Sequence, residues 1–111
     1  MKIKTSELTG AALDWAVAKC EGVDTASFLV MHQCDHFHFS TDWAHGGPII
    51  EREDIGFWVY PCNKKESPVQ WVARNKDSNF GQLGASPLIA AMRCFVCSRL
   101  GETVDVPEEL K

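Results

Sequence analysis

Apolar positions along this chain follow two rhythms, and the change from one to the other marks out its elements. Leu13, Ala16, Val17 and Cys20 fall on one face at helical spacing, which predicts a helix from Thr9 to Cys20. Thr9 is placed to cap its start, and Gly22 to stop it, since glycine tolerates left-handed backbone. Trp15 lies about 200° round from Leu13. Packing under a neighbouring loop, with its N–H wet, is the plainer expectation for it than display to a partner. A second helix is marked more sharply. Ser86 is its N-cap, Pro87 its first residue, Gly101 its stop and Arg99 a cation suited to its last turn. Leu88, Ala91, Met92, Phe95 and Val96 form its core face.

Between these helices the period falls to two. Ser27 to Gln33 reads as a strand, and His36-Phe37-His38-Phe39 alternates so that both rings point one way and both imidazoles the other, which suits a second, shorter strand or an extended approach to Ser40-Thr41-Asp42-Trp43. Phe57–Tyr60 and Val69–Arg74 read as strands joined across Asn63–Pro68, a hairpin with a long loop. Asn75 to Ala85 is expected to be loop, with a turn at Asp77-Ser78-Asn79. Thr103–Val106 reads as a short edge strand stopped by Pro107. A middle helix is expected to open at Pro48 and end at Gly56, with Glu51, Glu53 and Asp54 in its early turns. Ser40 or Thr41 would cap a single turn, Asp42 to His45, before a break at Gly46-Gly47. The sum is an α+β fold: a single domain over 1–111, with one mostly antiparallel sheet of three to five strands packed with helices.

Composition narrows the function. The 111 residues carry a formal net charge of −4, which argues against a nucleic-acid partner. Lys64, Lys65, Arg74 and Lys76 read as a solvated turn rather than a binding patch. No apolar run is long enough for a membrane span, and no signal peptide follows Lys2 and Lys4. Five cysteines, an odd number, fit reduced thiols in a cytoplasm.

The segment Ser40–Glu53 gathers the candidate chemistry. Asp42, Trp43, His45, Gly46, Gly47 and Arg52 form the expected ligand- or partner-binding surface. Free amides at a helix opening after Gly46-Gly47 could hold an anion, with His45 or Arg52 adding charge, although no phosphate-loop fingerprint is present. A tight turn is the plainer reading. Asp42, Glu51, Glu53 and Asp54 offer carboxylates, but Glu51 and Glu53 diverge by about 200° on a helix. A solvated face suits them better than a metal-dependent hydrolase. Cys94 and Cys97 fall mid-helix, where inert packing is expected. Cys34, His36 and His38 alternate on one side of an extended segment and are zinc-type donors, with His32 or His45 as a fourth ligand. No paired Cys-x-x-Cys spacing supports that site, so neither metal nor cofactor is assigned. Cys34 near a histidine lacks a nucleophile elbow, and no catalytic residue is assigned.

Three blocks point further. Ser6-Glu7-Leu8-Thr9-Gly10 with Leu13–Ala18, Ser40-Thr41-Asp42-Trp43 with Gly46–Glu51, and Pro87–Cys94 resemble, in order and spacing, the NinX-like proteins of lambdoid phages and prophages. The resemblance runs almost end to end. It implies a phage-encoded protein acting in the host cytoplasm, with an α/β/α sandwich-like body, and it brings no chemistry with it. The expected role is therefore a non-enzymatic phage accessory protein binding a host protein or small ligand. Trp43 is either its anchor or a core plug that fixes the loop. The alternatives are a sequestering protein for a phosphorylated small molecule such as a nucleotide signal, and a carboxylate-dependent hydrolase. A homodimer through a sheet edge is a further expectation.

Overall fold

Ile3 stands between two lysines, and these three residues become a strand by pairing antiparallel with Thr103–Asp105. The computed structural model describes residues 2–23, 28, 37–60, 70–76 and 81–110. Within them the chain runs through β1 (Lys2–Lys4), a 3-10 turn (Thr5–Glu7) and α1 (Gly10–Cys20). Then come α2 (Trp43–Arg52), β2 (Gly56–Tyr60), β3 (Gln70–Arg74) and β4 (Gln82–Gly84). α3 (Pro87–Leu100), β5 (Thr103–Asp105) and a second 3-10 turn (Glu108–Leu110) complete it. Among the described residues every strand pairing is antiparallel, and the fold class is α+β. The described strands divide into two sheets, β1-β5 and β2-β3-β4, where a single sheet is expected, because the terminal strands pair with each other rather than with the β2 hairpin.

α3 is the element on which the others pack. It lies against all strands of the larger sheet and against α1 and α2. Its start is as the sequence predicts, with Ser86 Oγ accepting from the Ile89 amide at 3.1 Å and Pro87 in the first turn. The predicted core face is buried, and Ala90 and Cys94 are buried as well. α1 is similar, with every residue from Ala12 to Ala18 buried, Trp15 among them. Helices apolar around most of their circumference belong inside. The exception is Asp14, which is 1% exposed and accepts from the Ser40 amide at 2.8 Å. A buried carboxylate needs such a donor, and this one ties α1 to the turn that precedes α2.

Strand register sorts the larger sheet into two faces. Phe57, Val59, Trp71, Ala73 and Gly84 share the face toward α3. Gly84 is essential there, because a Cβ would stand 2.6 Å from the Ala90 amide nitrogen. Trp58, Val72 and Leu83 form a row across the other face.

Several expectations are corrected. α2 does not begin at Pro48. It begins at Trp43, runs through Gly46, Gly47 and Pro48 without a break, and ends at Arg52. The cap is neither Ser40 nor Thr41 but Asp42, whose Oδ1 accepts from the Ala44 amide at 2.9 Å. Pro48 is tolerated because the amide it lacks would have served the carbonyl of Ala44, an exposed residue. The stop is not Gly56, which opens β2, but Asp54 in left-handed backbone at φ 54°. The Ile55 and Asp54 amides reach back to the Ile50 and Glu51 carbonyls, closing a Schellman turn around a buried Ile55. The expected loop after Asn75 contains β4. Thr9 caps α1 by position but makes no side-chain bond. Phe28 has helical backbone, against the strand expected there, and residues 37–39 form no strand. The rest of that stretch (27, 29–36), the hairpin loop and the turn at 77–79 lie outside the described residues.

Adjacent glycines in α2 have opposite duties. A Cβ on Gly46 would stand 2.6 Å from Leu88 Cδ1 and collide with the Phe39 carbonyl oxygen. One on Gly47 would meet only Trp43 Cε3 at 3.9 Å. Gly46→Ala is therefore expected to destabilise by roughly 1–3 kcal/mol through overpacking. Gly47→Ala should stabilise by up to about 1 kcal/mol through helix propensity. Urea unfolding of both variants checks this, and effects of equal sign would overturn the docking of α2 on α3.

Candidate functional site

Helix geometry decides where the predicted site residues go. At about 100° per residue, Gly46 faces inward and its neighbours divide between two flanks. Trp43 and Gly47 turn to the β2 side. His45, Ile49 and Arg52 turn to the opposite side, beneath the segment 37–39. The six predicted residues therefore do not converge on one site. They serve two surfaces, and Gly46 separates them.

On the first flank Trp43 is 50% exposed, so it is not a core plug. Its ring rests on Phe57 with centroids 5.9 Å apart, and Phe57 meets Trp71 edge-on at 6.2 Å. Val59, on the same sheet face as Phe57, is 50% exposed, and Trp58 on the other face is 47% exposed. The result is a fixed aromatic row with an indole at its open end.

The second flank borders an open cleft of about 440 Å³. Phe37, Phe39, Pro48 and Ile49 give it apolar walls, and Glu21, His45 and Arg52 its polar groups. Phe37 and Phe39 lie nearly parallel with centroids 5.9 Å apart. Phe37 has φ 63°, a left-handed backbone that bulky residues rarely adopt. His45 is oriented by the chain itself, because its Nδ1 accepts from the His38 amide at 3.0 Å. That bond places the ring proton on Nε2.

Arg52 does not offer a free charge to this cleft. Its Nη2 and Nη1 donate to the two Glu21 oxygens at 2.6 and 3.1 Å, and its Nε to Glu53 at 3.0 Å. Arg99 closes the network on Glu53 at 2.8 Å. Both guanidinium groups lie over the buried Phe95 ring, at 5.7 Å for Arg52 and 5.5 Å for Arg99. Hydrogen bonds from Arg99 and then Arg52 hold the Glu53 carboxyl below the usual carboxylate range. Glu21 and Glu53 push the Arg52 guanidinium pKa upward.

The anion site expected at the glycine pair is also corrected. The Gly46 amide donates to the Asp42 carbonyl at 3.0 Å, inside the helix. The free helix start lies at Trp43 and Ala44, where the Asp42 carboxylate already sits. The candidate hydrolase carboxylates are dispersed: Asp42 caps, Glu53 joins the arginines, and Asp54 meets Lys76 at 3.3 Å. Burial raises the thiols of Cys94 and Cys97 and pushes Cys20 up to about 11. Among the described residues no three of His, Cys, Asp and Glu gather as a metal site. Cys34 and His36 of the expected zinc set lie outside those residues, and the His38 ring stacks on His45 at 6.4 Å. Sequence reasoning missed Glu21, which no local pattern links to Arg52 thirty-one residues on. It also passed over the Phe37/Phe39 pair as a wall, although the alternation at 36–39 was a signal for it.

A family profile described as "Bacteriophage P22, NinX" matches residues 4–99. No curated protein matches the sequence.

The charge network makes a pH prediction. Because the folded pKa of Glu53 is depressed, its stabilisation is present above the unfolded carboxylate pKa and is lost as pH falls through the folded value. Glu53→Gln is expected to lower stability at neutral pH, and its deficit against the parent protein should shrink toward zero on acidification. Denaturant melts across that range measure it. A deficit that does not change with pH would show that the carboxylate charge contributes nothing.

Proposed function

The chain belongs to the bacteriophage P22 NinX family, and from that membership we propose a non-enzymatic phage accessory protein that works by binding a host protein in the host cytoplasm. The observation that carries this reading is the half-exposed Trp43 indole, seated on Phe57 beside exposed Val59. Large rigid aromatics that begin half-exposed and end desolvated supply much of the energy of protein interfaces. Trp43 is pre-positioned by the capped start of α2, so little ordering entropy opposes its burial. Asp42 beside it is exposed and gives the patch a polar edge. Burial raises the thiols of Cys20, Cys94 and Cys97, and Glu53 and Arg52 neutralise one another, so these groups serve the fold in this reading. Among the described residues no helix is long and apolar enough to cross a membrane.

Trp43→Ala tests the proposal. The partner that co-purifies with the parent protein should be identified and its affinity measured with purified components. The expected loss is about 30-fold or more, the scale for truncating a central indole. The melting temperature should fall only slightly, since half of the ring is already in solvent. Undiminished affinity for the same partner would remove Trp43 as anchor.

A further inference from the structure

The cleft on the opposite flank of α2 is a second, separate site, and we propose that it binds an uncharged nucleobase, presented as a nucleoside. Its volume of about 440 Å³ lies within the range of small-molecule pockets. Its walls are Phe37, Phe39, Pro48 and Ile49, surfaces suited to a flat ring. Its polar groups form a matched set. His45 has Nδ1 committed to the His38 amide, so Nε2–H is a donor, and among the described residues it has no acceptor. The Glu21 oxygens each accept one bond from Arg52 and keep a lone pair for a ligand N–H. A planar molecule with an acceptor and an N–H on its edges satisfies both, which is the edge chemistry of a nucleobase.

Charge selects against the phosphorylated alternative. The two ionised groups lining the cleft, Glu21 and Arg52, cancel, and Glu53 takes a further guanidinium donor. A phosphate would meet a carboxylate already in place and an arginine already spent. Phe37 supplies the independent sign that this wall is built. Left-handed backbone is unfavourable for a phenylalanine. It persists here because the ring stacks on Phe28 at 6.4 Å and Phe39 at 5.9 Å, holding it at the cleft.

The test is calorimetric titration with adenosine, guanosine, inosine and uridine, with their 5′-monophosphates and with inorganic phosphate. At least one of these nucleosides should bind saturably, its monophosphate should bind no tighter, and phosphate alone should not compete. Amide NMR signals of Phe39, His45 and Ile49 should move, while those of Trp58 and Leu83 stay. His45→Phe, which keeps ring bulk and removes the donor, should weaken binding about tenfold. Should that variant fail to fold, Glu21→Ala serves as the second probe, with a loss of similar size. No nucleoside binding at millimolar concentration, shifts confined to the other flank, or a monophosphate bound tenfold tighter than its nucleoside would each overturn the proposal. Loss of the nucleoside with Trp43→Ala would also do so, since the two flanks are distinct.

Discussion

The contact between Gly46 and the Leu88 side chain sets the arrangement of this protein's surface. A helix can approach another so closely only where a side chain is missing, and Gly46 supplies that gap against Leu88 and the Phe39 carbonyl. The contact fixes the rotation of α2 about its own axis. With Gly46 turned inward, the 3.6-residue repeat leaves no choice about the rest. Trp43 must emerge toward β2, and His45 and Arg52 toward the segment 37–39. Two surfaces of different chemistry thus follow from one packing constraint.

The charged residues around α2 belong to the fold before they belong to any site. Glu21, Arg52, Glu53 and Arg99 come from the ends of α1, α2 and α3, and their bonds close across the buried Phe95 ring. Isolated surface ion pairs contribute about 0–1 kcal/mol, but here the bidentate Arg52–Glu21 geometry and the aromatic platform restrain both partners. The network has a functional consequence. It cancels the positive charge that the sequence offered as an anion receptor, and it fixes a carboxylate with spare acceptor capacity at the cleft.

What was legible in the sequence was what local chemistry alone decides. Ser86, Pro87 and Gly101 bracket α3 because capping and proline effects act within one turn. Phe57–Tyr60 and the strand facing it were legible from β-branched and aromatic runs. α2 was misread because a glycine pair and a proline are local break signals, and the packing that overrides them lies forty-two residues away at Leu88. β4 was hidden for a related reason. Gln82, Leu83 and Gly84 have no strand propensity to show, and Gly84 is set by its approach to Ala90. Asp54 took the role assigned to Gly56, as an aspartate can in left-handed backbone.

The site divides along the same line. His45, Arg52 and Trp43 could be found because unusual residues crowded one segment, but their partners came from elsewhere in the chain. Glu21 decides whether Arg52 is a receptor or a strut, and the His38 amide decides which imidazole nitrogen can donate. Neither is visible without the fold. A residue's identity therefore named the candidates, whereas its occupancy by neighbours assigned the chemistry. Arg52 lost its anion to Glu21, and Asp42 took the helix start that a phosphate would have used. What those neighbours left open is an indole on one flank, and on the other an N–H donor above an apolar floor. Each is shaped by its neighbours rather than by its own position in the chain.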